Sequence, residues 1–157
     1  MSLALRRTLL WATALIGLFV GTWAAAWPRG FYDAFPGLGM IWISVDGPYN
    51  EHLVRDVGAL YLGLAAATLW AALQRHEAGA VVASRAVGAA WLVFSVPHQT
   101  YHALHLDGLS TVDVVMQMVS LGSTVVLGAL LLLGPERGRP RTARTAGSAP
   151  DGVAARG

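Results

Sequence analysis

The amino-acid sequence predicts an all-α membrane protein: a bundle of four transmembrane helices with an aromatic outer loop and a disordered C-terminal tail. Of its 157 residues, 55% are hydrophobic and only 13% are charged, whereas about 25% of the residues in a soluble domain are charged. Four apolar stretches each approach the roughly 20 residues that a helix needs to cross a bilayer. This composition excludes an ordinary soluble domain, a disordered chain and a nucleic-acid-binding domain.

The predicted spans cover about residues 8–26, 54–73, 81–97 and 112–133. The first span has an alternative interpretation, because Arg6 and Arg7, an apolar run and three alanines also resemble a signal peptide. Its apolar run of 19 residues exceeds the roughly 7–15 residues usual for the apolar region of a signal peptide, so we expect a retained helix.

Gly17 and Gly21 are expected to pack against another helix of the same chain, the alternative being a dimer interface. Other small residues are also predicted helix-packing positions: Gly58, Gly63, Ala67, Ser120, Thr124 and Gly128.

The distribution of arginines predicts the orientation of the bundle. With the N-terminus in the cytoplasm, nine of the eleven arginines lie inside and only Arg29 and Arg55 lie outside. This bias follows the positive-inside rule, so both termini are predicted to be cytoplasmic in the cell membrane. The absence of lysine beside abundant Ala, Gly and Arg indicates a high-GC, bacterial genome. Arg85, inside the third span, is expected to extend its charged group to the headgroup region.

The chain divides into a membrane domain, residues 1–134, and a tail, residues 135–157. The tail is rich in Gly, Pro and Arg and offers almost no apolar surface to bury, which predicts disorder. The outer loop between the first two spans, residues 27–49, is unusually aromatic and holds three prolines, so it cannot form one long helix. It is predicted either to anchor at headgroup level as an aromatic belt or to cover a site at the outer mouth of the bundle.

Histidines concentrate after Pro97, which is expected to kink the third helix. His98, His102 and His105 are spaced at i, i+4 and i+7, which predicts that they share one helical face. A pair of histidines one turn apart can chelate a metal ion. His98 and His105 would lie about 10.5 Å apart along the helix axis, so one ion would need an adjacent pair and a ligand from elsewhere.

Further polar side chains are predicted at the same depth. The second helix would bring Glu51, His52, Arg55 and Asp56 to the outer face, and the fourth would bring Asp113 and Gln117. The metal-ligand candidates are therefore His98, His102, His105, His52, Glu51 and Asp56. Ionisable groups in a membrane are costly and usually face the bundle interior, which favours a site for a divalent metal or a haem. The alternatives are a proton-linked or small-ligand site, or interfacial polar residues that bind nothing.

Two of these residues have structural interpretations. Ser110 and Asp113 match a capping box for the fourth helix. Arg55 is expected to neutralise outer-face acids. The sequence contains no phosphate-binding glycine loop, no His-Glu-x-x-His and no Gly-x-Ser-x-Gly motif, so an enzyme is the least favoured class.

Residues 50–63, with Arg55-Asp56 followed by Gly58-Ala59-Leu60-Tyr61, resemble small bacterial four-helix membrane proteins of the broad DoxX-like group. The resemblance implies a four-helix integral membrane protein over roughly residues 6–134 and no defined activity. The predicted function is a small membrane protein whose outer His/acid cluster binds a metal or haem. The alternative is a structural or accessory subunit that binds another membrane protein, or a second copy of itself, without its own ligand. The lipid bilayer is a partner in both cases.

Overall fold

The computed structural model of the protein describes residues 1–134, and the predicted tail, 135–157, lies outside the described residues. These described residues form five α-helices and one small hairpin. The helices are α1 (Leu3–Ala26), α2 (Pro28–Ala34), α3 (Glu51–Ala72), α4 (Glu77–Leu104) and α5 (Thr111–Leu131), and the hairpin pairs β1 (Pro36–Gly37) with β2 (Met40–Ile41). Among the described residues, α1, α3, α4 and α5 are long and apolar enough to cross a membrane. This confirms four long apolar helices in the predicted order.

The α4 helix is longer than the predicted span at both ends. It continues through Pro97 for another seven residues, which places His98 and His102 on the helix as the predicted histidine face requires. Proline is tolerated inside apolar helices because neighbouring groups compensate the missing N–H. The helix ends before His105, whose φ of −126° and ψ of 76° are not helical. His105 therefore leaves the face that carries His98 and His102, and the predicted three-histidine face is reduced to two residues.

Glycines allow close packing between α1 and α3. A Cβ atom on Gly58 would lie 2.5 Å from the Ala25 nitrogen, and one on Gly17 would lie 3.0 Å from the Ala65 Cβ. A Cβ on Gly21 would approach Leu62 to 2.9 Å. The predicted packing of the first span within one chain is thus confirmed.

The α4 and α5 helices form the second close pair, where a Cβ atom on Gly88 would lie 2.7 Å from the Gly128 carbonyl oxygen. Thr124 is buried as well. The packing prediction was wrong for Gly63 and Ala67, which lie on exposed faces of α3, and for Ser120, which faces the cavity described below. Trp91 is fully buried and joins α4 to α3, because its indole N–H donates a hydrogen bond to Thr68 Oγ1 at 2.9 Å.

A buried arginine holds one end of the bundle together. Arg6 is 1% exposed, and its guanidinium donates to Ser84 Oγ and to the carbonyl oxygens of Leu131 (3.2 Å) and Leu133 (2.6 Å). The last carbonyls of a helix lack partners within the helix, so a cation at this end of α5 is favourable. Arg85 also reaches this end, where it donates to the Leu132 carbonyl at 2.9 Å.

The opposite end carries the aromatic segment. We refer to residues 28–49, which comprise α2, the hairpin and the loop before α3, as the lid segment. Pro28 occupies the first turn of α2, a position where its missing N–H costs nothing. Phe31 and Trp42 are buried at 4% and 5% exposure. The lid segment therefore folds back onto the bundle, and this end of the molecule is the lid end.

Candidate functional site

A cavity of about 410 Å³ lies between the lid segment and the bundle. The lid segment and all four long helices contribute side chains to its wall. This volume lies within the roughly 300–1,000 Å³ typical of small-molecule sites. We refer to it as the lid cavity.

Aromatic side chains form much of the cavity wall. They are Phe31, Tyr32, Phe35, Trp42, Tyr61 and Tyr101. Phe31 and Phe35 lie with ring centroids 4.5 Å apart, and Phe35 meets Trp42 edge-on at 5.9 Å. Aliphatic residues form another large part of the wall. The cavity is therefore suited to an apolar molecule, and it is covered by the segment that the sequence predicted as either a belt or a cover.

Two histidines face the cavity from α4. The rings of His98 and His102 have centroids 4.8 Å apart and meet edge-on, as expected for residues one turn apart. His98 also stacks on Phe94 at 5.2 Å. The carboxylate of Asp46 lies 4.0 Å from His102 Nδ1. This pair brings the lid segment and α4 together at the polar side of the cavity.

Gln117 reaches the cavity from α5, the helix on which the sequence predicted it. The residue is 2% exposed, and its amide oxygen accepts no hydrogen bond from the residues that the structure describes. Asn50 also lines the cavity, while its side chain caps α3 by accepting a hydrogen bond from the Leu53 N–H at 3.1 Å. The wall of the cavity is thus largely apolar and carries polar groups at a few points, as in many ligand sites.

The remaining predicted ligands lie away from the cavity. His105 stacks on Tyr101 at 4.0 Å, and its Nδ1 lies 2.8 Å from the Tyr101 carbonyl oxygen. His52 and Asp56 pair with each other across one turn of α3 at 3.3 Å, on a face where their side chains are 88% and 60% exposed. The structure therefore does not bring His52, His105 or Asp56 together with His98 and His102.

Glu51 and Arg55 form another exposed pair along α3, with 2.9 Å between Arg55 Nε and Glu51 Oε1. The Arg55 guanidinium also donates to the Ala25 carbonyl, which ties α3 to the end of α1. The expectation that Arg55 neutralises an acid is confirmed. Neither residue lines the lid cavity.

Asp113 combines two structural roles. Ser110 is the N-cap of α5 and accepts a hydrogen bond from the Asp113 N–H at 3.1 Å, while its hydroxyl donates to Asp113 Oδ2 at 2.6 Å. This confirms the predicted helix cap. Asp113 Oδ1 also accepts a hydrogen bond from the Trp42 indole at 3.1 Å. Asp113 therefore fastens the lid segment to α5.

The predicted metal site is only partly assembled. His98 and His102 provide an adjacent histidine pair, but within residues 1–134 no group of three or more His, Asp or Glu residues is arranged to hold a metal ion. Binding of a divalent metal or a haem at this face stays a prediction.

Sequence reasoning missed Asp46 and Tyr61 as cavity residues. Asp46 lies in an irregular segment, where no periodicity indicates the direction of a side chain. Tyr61 could have been found, because Val54, Gly58, Tyr61 and Ala65 follow helical spacing and are all buried.

No family model matches the chain, and no curated protein or solved structure matches it either. The resemblance to DoxX-like proteins therefore stays a prediction.

Proposed function

We propose that this chain is a multi-pass protein of the cell membrane, with both termini in the cytoplasm, that binds one small and mainly apolar molecule in the lid cavity. The observation that carries the proposal is the aromatic chamber under the lid segment, with polar groups at a few points of its wall. A folded interior is normally close-packed, and a space of this size forgoes many dispersion contacts. A bound molecule would restore those contacts.

The membrane location is supported by the four apolar helices and by their exposed apolar faces. At most 39% of the most apolar window of any of these helices is buried inside the bundle. Large residues such as Leu15, Val93 and Val119 are exposed at 61% or more. Lipid would cover these surfaces. The excess of arginine at the end opposite the lid supports cytoplasmic termini.

A pair of matched tryptophan variants tests the cavity. Leu121 lines the cavity on α5, so Leu121→Trp should fill part of it. Val126 lies on the same helix, is 57% exposed and does not line the cavity, so Val126→Trp is the control. We expect purified protein in lipid nanodiscs to bind 4-phenylbutan-1-ol or 4-phenylbutylammonium saturably, with one site per chain after subtraction of empty nanodiscs. Leu121→Trp should weaken this binding by about tenfold or more, equivalent to about 1.4 kcal/mol, and Val126→Trp should not.

Absence of saturable binding for both probes would refute the proposal. The accessory-subunit function would then be favoured, because the exposed helix faces would be the remaining surface for a partner.

An absorption spectrum and a metal analysis of the same preparation test the haem and metal predicted from the histidines. A haem band or stoichiometric metal that is lost in His102→Ala, but kept in His52→Ala, would favour those ligands over an organic molecule.

A further inference from the structure

The lid end of the bundle is strongly acidic. It carries six carboxylates, those of Asp33, Asp46, Glu51, Asp56, Asp107 and Asp113, against the two arginines Arg29 and Arg55. Arg29 pairs with Asp33 at 2.7 Å, and this hydrogen bond raises the pKa of Arg29 above its ordinary value. Arg55 pairs with Glu51. Both cations are therefore matched by a carboxylate, and a net negative charge remains around the cavity.

Within the cavity, Asp46 is the one lining side chain among the described residues that carries a formal charge at neutral pH. No arginine from residues 1–134 lines the wall. The Asp46 side chain is 30% exposed, and among residues 1–134 its nearest basic group is the His102 imidazole at 4.0 Å. An imidazole is mostly neutral at pH 7. The carboxylate is thus partly withdrawn from water without a permanent cation beside it.

The aromatic wall adds a second attraction for positive charge. The ring face carries negative electrostatic potential and attracts cations, and aromatic cages bind quaternary ammonium groups in this way. The lid segment already shows this contact, because the Arg29 guanidinium lies 5.6 Å from the Tyr32 ring centroid and 5.0 Å from that of Tyr49. Tyr32 itself is part of the cavity wall.

We propose that the molecule bound in the lid cavity is a hydrophobic organic cation, of the aryl- or alkylammonium class, whose charged group lies against Asp46. This inference rests on the proposed function and names the chemistry of its ligand. The apolar part would contact the aromatic wall, and the ammonium group would supply the missing counter-ion of Asp46. Anionic amphiphiles such as fatty acids would be rejected, because they would bring a second negative charge to a chamber whose described wall residues include no arginine.

Three probes of nearly equal size and different charge test the inference: 4-phenylbutylammonium, 4-phenylbutan-1-ol and 4-phenylbutanoate. In neutral nanodiscs at neutral pH, the ammonium should bind about tenfold more tightly than the alcohol, and the carboxylate should bind more weakly than both. Asp46→Asn should remove most of the preference for the ammonium over the alcohol. Asp107→Asn is the matched control, because Asp107 belongs to the acidic lid end but does not line the cavity.

Salt dependence gives a measurement that needs no variant. Added NaCl should weaken binding of the ammonium and leave that of the alcohol unchanged, since salt screens charge interactions. If the alcohol binds as tightly as the ammonium, or the carboxylate binds most tightly, the cation inference is wrong while the cavity proposal survives. If none of the three probes binds, the cavity proposal itself fails.

Discussion

The Trp42 indole N–H donates a hydrogen bond to the Asp113 carboxylate at 3.1 Å, and this contact joins the lid segment to the first turn of α5. The two residues are 71 positions apart in the chain. Asp113 keeps its position through the N-cap Ser110, with which it exchanges two hydrogen bonds. Asp113, which belongs to the cap of α5, thus also positions the lid segment over the cavity.

Removing this contact should loosen the lid segment. Trp42→Phe keeps an aromatic ring but loses the indole donor, and hydrogen bonds to charged groups contribute about 1.5–3 kcal/mol. We expect hydrogen exchange of backbone amides in residues 28–49 to accelerate, with little change in α4. The control is Trp27→Phe, because Trp27 is 67% exposed. Equal protection in Trp42→Phe and the wild type would show that the lid segment is held by apolar packing alone.

Two glycines of α3 should respond in opposite ways to alanine. Gly58→Ala places a Cβ 2.5 Å from the Ala25 nitrogen, so α1 and α3 must separate. We expect a loss of about 1–3 kcal/mol of stability. Gly63 has nothing within 4 Å, and alanine favours helices by about 1 kcal/mol over glycine, so Gly63→Ala should be neutral or stabilising. Melting temperatures in detergent distinguish the pair, and equal values would contradict the observed packing of α1 on α3.

Arg6 should be essential for stability at the end opposite the lid. Arg6→Met retains much of the side-chain length but removes the charged donor that Ser84 Oγ and the carbonyls of Leu131 and Leu133 share. The expected loss is about 2–4 kcal/mol, because each hydrogen bond to a charged group contributes about 1.5–3 kcal/mol. Arg75→Met is the matched control in the exposed turn between α3 and α4. Similar thermal stability of the two variants would rule out a structural role for the Arg6 contacts.

The orientation can be tested with single cysteines, because the chain contains none. Asp107→Cys, in the exposed turn between α4 and α5, should react with a membrane-impermeant thiol reagent in intact cells. Arg75→Cys and Ser148→Cys should react only after the membrane is opened. The positive-inside rule is the reason, since nine of eleven arginines lie on the side of the termini. Labelling of Arg75→Cys in intact cells would reverse the proposed orientation.

The four long helices and the cap of α5 could be predicted from the sequence, because both features depend on residues that are close together in the chain. Hydropathy over about 20 residues indicates a span, whatever the helix later contacts. Ser110 and Asp113 are three residues apart, so their hydrogen bonds form within one turn.

The composition of the cavity wall depended on tertiary structure. Contact with α1 through Gly58 sets the rotation of α3 about its own axis, and that rotation places His52 and Asp56 on the exposed face while Tyr61 points inward. The end of α4 at Leu104 separates His105 from the other two histidines. Asp46 reaches His102 only because the lid segment folds back over the bundle.

Local sequence therefore determined which segments became apolar helices. Packing between segments distant in the chain determined which polar side chains face one another, because rotation and depth are set by the shapes of the neighbouring helices.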